Sequence, residues 1–163
     1  MTDCNPAPKI LHASCVSVDG AAVLLMGPSG SGKSGLALEL MSRGALLIAD
    51  DRTIVTQRAY GIAASCPPAL LGKIEARGVG LLMADFENSA PVRLVVDLAV
   101  VETERLPPFR TVSIMDRELP LLHGSVHSYF PAAIMHSLKG ERIPGQKWSR
   151  KYNKAGRLSP GSS

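Results

Sequence analysis

Gly27-Pro28-Ser29-Gly30-Ser31-Gly32-Lys33-Ser34 satisfies G-x-x-x-x-G-K-[ST] at every fixed position, and reading it as a phosphate-binding loop decides the fold. Gly27, Gly30 and Gly32 admit backbone conformations closed to other residues, so successive N–H groups can curl around an anion. The positive end of the following helix would face the same point. Lys33 would reach the β- and γ-phosphates of ATP, and the Ser34 hydroxyl would ligate Mg²⁺. Both flanks suit this reading. Residues 21–26, Ala-Ala-Val-Leu-Leu-Met, form a short continuous apolar run fit for a buried strand. Beyond the loop, Leu36, Ala37, Leu40 and Met41 recur at helical spacing, and Gly44 stands where a helix should stop. A glycine-rich turn with a chance lysine would have no reason to sit between such flanks.

Working outward, the chain has 163 residues and 45% hydrophobic composition, which suits one globular domain with a real core. No apolar run approaches a membrane span, and the N-terminus lacks a basic region followed by an apolar stretch. Cys4, Cys15 and Cys66 are odd in number and lack metal-ligand spacing, so reduced thiols in a cytoplasmic protein are expected. The net charge of +4 is unevenly placed. Residues 139–163 hold seven basic side chains against Glu141 alone, while the rest of the chain is close to neutral. The division expected is therefore a catalytic domain over 1–138 and a basic, disordered tail over 139–163. Sign asymmetry alone names no partner; a solvated tail is the plain reading, and nucleic acid is not an expected partner.

Residues 9–18 read as one strand, and Asp19-Gly20 suits a two-residue hairpin turn. The strand before the loop then has an antiparallel neighbour. Residues 45–49 make a second buried strand ending in Asp50-Asp51, and residues 52–60 are strand-like. Residues 65–68 mark a loop, 92–101 a central strand and 111–116 another strand. Residues 126–138 read as a helix with Pro131 near its first turn. The expected fold is α/β, a mixed sheet around the phosphate loop.

Two acidic clusters could serve that loop. Asp50-Asp51 lies at the C-terminal end of a strand, where ligands gather in α/β folds. One carboxylate could hold Mg²⁺ while the other accepts a proton from an attacking hydroxyl. Glu75-Ala76-Arg77-Gly78-Val79-Gly80 would pair a metal ligand with a phosphate-binding guanidinium, since residues two apart on an extended segment point the same way. A surface turn with an ion pair fits that cluster equally well. His12 precedes the hairpin; His123, His127 and His136 read as structural or peripheral.

Taken in order, these residues resemble the catalytic domain of the bacterial HPr kinase/phosphorylase family. The family pattern runs from a histidine through a hairpin to G-x-x-G-x-G-K-S, then L-[AE]-L-x-x-R-G, then A-D-D. Here these are His12, Gly27 to Ser34, residues 37–44 ending in Arg43-Gly44, and Ala49-Asp50-Asp51. Ile74-Glu75-Ala76-Arg77-Gly78-Val79-Gly80 matches the later signature L-E-x-R-G-[LIV]-G. The resemblance covers about residues 10–106. It implies a P-loop sheet of the HPr kinase/PEP carboxykinase-like type, and transfer of phosphate from ATP, with Mg²⁺, to a serine of an HPr-type phosphocarrier. It also implies the reverse attack of phosphate on phosphoserine, a hexameric assembly and a cytoplasmic location. His12, Lys33, Asp51 and Arg105 fall on its active-site positions. Ser34 and Glu75 fall on its Mg²⁺ ligands.

Three departures accompany the resemblance. The family's N-terminal regulatory domain has no counterpart in these residues, as in a short form. The stretch between Leu82 and Val92 is shorter than in long members. The basic P-V-R-P-G-R-N loop linked to dephosphorylation is replaced by residues 119–126, so a kinase with weak or absent phosphorylase activity is expected. Two other readings stay open: a small-molecule kinase or nucleotide hydrolase, and a non-enzymatic nucleotide sensor with a partner-binding tail.

Overall fold

The computed structural model describes residues 5–139; Cys4 and the predicted basic tail from residue 140 onward lie outside the described residues. Asp19-Gly20 makes the expected turn, both residues having positive φ (50° and 77°), which matches the twist of a two-residue hairpin. It joins β2 (Ala13–Val18) to β3 (Ala21–Met26) in antiparallel register, with Ala13 opposite Met26. The strand expected over 9–18 is broken at His12. Its first part, β1 (Lys9–Leu11), leaves to pair with β5 (Thr53–Arg58).

β4 (Leu46–Ala49) pairs antiparallel to β2 on its other side. The long β9 (Ser89–Val101) runs parallel to β3. β3, β4 and β9 therefore point the same way, and their C-terminal ends share one edge with the start of β2. Among the described residues the main sheet has nine strands, seven of them in the order β1-β5-β6-β9-β3-β2-β4, with β6 at Gly61–Ser65. β11 (Arg117–Gly124) adds in parallel to β9, and β10 (Arg110–Ile114) pairs with β11. A separate hairpin is made by β7 (Lys73–Ala76) and β8 (Gly80–Met83).

α1 (Lys33–Ser42) and α2 (Phe130–Lys139) cover one face of this sheet. Val16, Val18, Val23, Leu25, Leu94 and Val96 pack beneath them with Ala37, Leu40 and Ile134. Ala13, Cys15, Ala22, Leu24, Val92 and Val95 face the other core, with Val55, Ile62 and Ala64 from the curled-over strands. Strict alternation would put Val92 and Leu94 on one face. A register shift opposite Ala22 and Val23 leaves Arg93 as an extra residue and sends the two to opposite cores. The charge that interrupts this apolar run is the exposed residue of a bulge.

One expectation needs correction. The helix expected over 126–138 starts only at Phe130, with Pro131 in its first turn, where a missing N–H costs nothing. Of residues 119–126, which stand where the basic loop is expected, those up to Gly124 belong to β11. β6 was not foreseen. Among the described residues no helix is long and apolar enough to cross a membrane.

Candidate active site

The phosphate loop leaves the end of β3, as its sequence requires. Gly27 is needed for space: a Cβ there would stand 2.5 Å from Ser31 Oγ and 3.3 Å from Leu98 Cβ. Gly30 and Gly32 take positive φ (83° and 97°). Gly32 caps α1 without a side-chain hydrogen bond, and the first turn carries no acidic residue. The N–H groups of that turn have no intrahelical partner, which makes an anion site. Ser31 Oγ is buried without a hydrogen-bond partner in the same loop.

Lys33 is buried, and its ammonium donates to the carbonyls of Gly27 (2.7 Å) and Pro28 (3.2 Å). It also lies 3.2 Å from His12 Nε2. An ammonium only donates, so Nε2 accepts and the imidazole proton sits on Nδ1. That nitrogen is 3.3 Å from Asp51 Oδ1. Lys33, His12 and Asp51 thus form a chain from the phosphate loop to a carboxylate half-exposed to solvent.

Asp50 belongs to a second, drier set. Its Oδ1 accepts hydrogen bonds from Ser34 Oγ (2.6 Å) and Ser14 Oγ (2.8 Å), and its Oδ2 accepts from the Glu75 N–H (3.1 Å). The last contact carries β7 to the phosphate loop, so Glu75 stands beside Asp50 through its backbone, with its side chain exposed. The donor set fits Mg²⁺, a hard cation that prefers oxygen ligands. Ser34 Oγ spends its proton on Asp50 and keeps its lone pairs, and Asp50 is an ionisable oxygen donor beside it. Among the described residues no three His, Cys, Asp or Glu side chains form a metal cluster. Mg²⁺ commonly takes only one or two carboxylates and fills its shell from water and phosphates, so such a cluster is not required.

The extended-segment expectation for Glu75 and Arg77 is corrected, and the segment follows the alternative reading of a surface turn. β7 ends at Ala76 and the chain reverses through Gly78 (φ 83°), so the extended-strand argument linking Glu75 to Arg77 does not hold. Arg77 is exposed, and it lines an open concavity of about 420 Å³ with Glu75, Gly78 and Leu81. Arg105 is exposed on the segment after β9, at the same sheet edge, with no hydrogen bond or ion pair among the described residues. The structure brings His12, Lys33, Ser34, Asp50, Asp51 and the Glu75 backbone together, but not Arg105.

Sequence reasoning missed two groups. One is Ser14, discussed below. The other anchors the Arg105 segment: Glu102 receives Arg110 Nε (3.2 Å) and Nη2 (3.1 Å), with His123 Nδ1 at 3.8 Å. The Arg110 guanidinium, more than the N–H groups of Glu104 and Thr103, holds the Glu102 carboxyl below its usual range against the opposing effect of burial. A carboxyl lowered on folding stabilises the fold above the ordinary carboxylate range, near about 4.3 for Glu, and loses that contribution as pH falls through its depressed value. Glu102→Gln should therefore lower the melting temperature at neutral pH, with the difference from wild type vanishing in acid. A difference independent of pH would contradict the ion pair. Cys66, free and buried, has its thiol pushed up first by burial and then by the nearby charge of Asp50.

Comparison with known proteins gives this geometry relatives. The family model of the HPr serine kinase C-terminal domain matches residues 6–122. The HPr kinase/phosphorylase of Brevibacillus brevis is 34% identical over 125 residues, covering 69% of this chain and 40% of that protein. The Stenotrophomonas maltophilia HPr kinase/phosphorylase is 37% identical over 133 residues, covering 71% and 42%. The chain thus spans about two-fifths of the length of these curated relatives. The HPr(Ser) kinase/phosphatase structure from Coxiella burnetii shares its fold with a TM-score of 0.70 and 26% identity, over 80% of this chain and 94% of that one. With most of its residues inside the family model and its sheet matched by a solved relative, the chain belongs to the HPr serine kinase C-terminal domain family.

Proposed function

We propose that this chain is an ATP- and Mg²⁺-dependent protein-serine kinase whose acceptor is an HPr-type phosphocarrier. The observation that carries the reading is the Lys33–His12–Asp51 chain lying beside the Ser34–Asp50 pair. The backbone N–H groups of the loop from Gly27 to Ser34, Pro28 having none, and the Lys33 ammonium bind the phosphates. Ser34, Asp50 and Glu75 hold Mg²⁺, which when bound neutralises charge on the transferring group. Asp51 accepts the proton as the substrate serine oxygen bonds to the γ-phosphorus; the bond to the bridging oxygen breaks, and ADP leaves. His12, with its Nδ1 proton directed to Asp51, orients that carboxylate and keeps Nε2 toward Lys33. Arg77 and Arg105 are assigned to the phosphates and to the transferring group. Since neither has a hydrogen bond or ion pair among the described residues, the substrate complex would have to position them.

The relatives' names include the phosphorylase direction. In this chain, residues 119–124 belong to β11 and carry no arginine where the basic loop is expected. The reading is therefore a kinase with weak or absent phosphate-dependent dephosphorylation, cytoplasmic and hexameric. ADP release measured with and without the phosphocarrier tests the kinase assignment. Turnover that rises severalfold on adding the acceptor supports it. Turnover indifferent to the acceptor favours a hydrolase or small-molecule kinase, and tight ATP binding without turnover favours a sensor.

A further inference from the structure

We infer that Ser14, which no motif marks, is a positioning residue that sets both aspartates of the site through one buried hydroxyl; the inference rests on the kinase reading above. Ser14 lies on β2 in the row of Val16 and Val18, which pack under α1, and it is fully buried. A hydroxyl in an apolar row is costly unless its hydrogen-bonding capacity is used. Here both roles are used, and both by the candidate site. Ser14 Oγ donates to Asp50 Oδ1 (2.8 Å) and accepts the Asp51 N–H (3.2 Å).

The second bond matters because of the backbone it holds. Asp51 has φ 66°, the left-handed region that a non-glycine residue enters at a cost of order 1–3 kcal/mol. Such a conformation persists only where neighbours over-determine it. Three bonds do so. The Asp51 N–H is taken by Ser14, its carbonyl accepts the Ala13 N–H (3.1 Å), and Thr53 Oγ1 donates to the Ala13 carbonyl (2.8 Å). Of these, only the Ser14 bond is shared with the Asp50 carboxylate, since the Arg52 N–H meets Asp50 at its backbone carbonyl. Ser14 therefore ties the orientation of the metal-side carboxylate to the backbone turn that points the base.

Its duty differs from that of Ser34. Ser34 also donates to Asp50 Oδ1, but it stands in the phosphate loop and keeps oxygen lone pairs for a cation. Ser14 is closed off from solvent and acts only through its two neighbours. Removing it leaves Asp50 held by Ser34 and the Glu75 N–H, so nucleotide binding should stay intact. The Asp51 N–H loses its acceptor, and Asp51 should be misplaced. A displacement on the ångström scale at a reacting group costs up to about a hundredfold in rate.

The test compares wild type, Ser14→Ala, Ser14→Thr and Asp51→Asn for phosphoryl transfer to the phosphocarrier, ATP affinity and melting temperature. Wild type is measured first: if it transfers nothing to any HPr-type acceptor, the kinase reading fails. If it transfers, Ser14→Ala is expected to lower kcat about tenfold to a hundredfold with ATP affinity little changed. Ser14→Thr, which restores the hydroxyl, should recover most of that loss. In the Asp51→Asn background, Ser14→Ala should add little further. A folded Ser14→Ala with full kcat, or a loss that simply multiplies with that of Asp51→Asn, would overturn the inference. Should Ser14→Ala fail to fold, the Ser14→Thr variant decides: near-normal kcat supports the hydroxyl's role, and a folded but inactive variant contradicts it.

Discussion

Replacing Lys33 with alanine is expected to abolish phosphoryl transfer while leaving the protein folded. The Lys33 ammonium is the one buried cation of the phosphate loop, held by the Gly27 and Pro28 carbonyls and by His12. Those three contacts are made within the protein itself. With a nucleotide in the loop, the same ammonium can turn its donors to the β- and γ-oxygens, where negative charge grows as the bond breaks. Losing one preorganised donor of this kind costs about 10²- to 10³-fold in kcat. Here the loss should be larger, because His12 Nε2 also loses its donor and with it the fixed proton on Nδ1. Stability should change little, since burying an ammonium is itself costly and its removal offsets the lost hydrogen bonds. Single-turnover transfer, ATP affinity and thermal unfolding together check this. Transfer within about tenfold of wild type would remove Lys33 from the mechanism.

Asp51→Asn is expected to separate chemistry from binding. The substitution removes the proton acceptor while keeping shape, and the position is forgiving. Asparagine enters the left-handed region more readily than most residues, so the φ of 66° can be kept. The bonds from Asp51 N–H to Ser14 Oγ and from Ala13 N–H to the Asp51 carbonyl do not involve the side chain that changes. ATP affinity should stay near that of wild type, and transfer should fall by about 10²- to 10⁴-fold, the usual contribution of a positioned general base. Asp50→Asn makes the contrast. That carboxylate collects three hydrogen bonds beside Ser34, so its loss should weaken Mg²⁺ dependence and binding together. If Asp51→Asn also abolishes ATP binding, Asp51 serves the metal or the fold rather than the proton.

Much of this was legible in the chain, for physical reasons that can be named. The phosphate loop is a local motif whose conformation is set by its own glycines, and the Asp19-Gly20 turn fixes a hairpin from within two residues. The apolar run before Asp50-Asp51 shows a strand end on its face. Other features depend on partners far along the chain. The break at His12 has no local breaker; it arises because β1 and β2 are claimed by different strands. β6 is short and rich in alanine, so its strand character comes from pairing with β5 and β9. The meeting of Glu75 with Asp50 is a bond from the Glu75 N–H to the Asp50 carboxylate across 25 positions of sequence. The same-side argument for Glu75 and Arg77 fails because β7 ends at Ala76, one residue short of what it requires, and the chain turns through Gly78. Ser14 did leave a trace, as a polar residue at i−2 and i−4 from Val16 and Val18 on a strand whose face is otherwise core. Only the folded arrangement shows which groups its hydroxyl serves.

On the kinase reading, this loop and its paired aspartates transfer phosphate from ATP to a protein serine. Intact-mass and fragment-ion spectrometry of a purified HPr-type phosphocarrier, after incubation with ATP, Mg²⁺ and either wild type or Lys33→Ala, tests it most directly. One added phosphoryl group on a serine with wild type, absent with Lys33→Ala and absent without Mg²⁺, is the predicted result. An unmodified phosphocarrier from wild type that demonstrably binds ATP, or equal modification by Lys33→Ala, would contradict it.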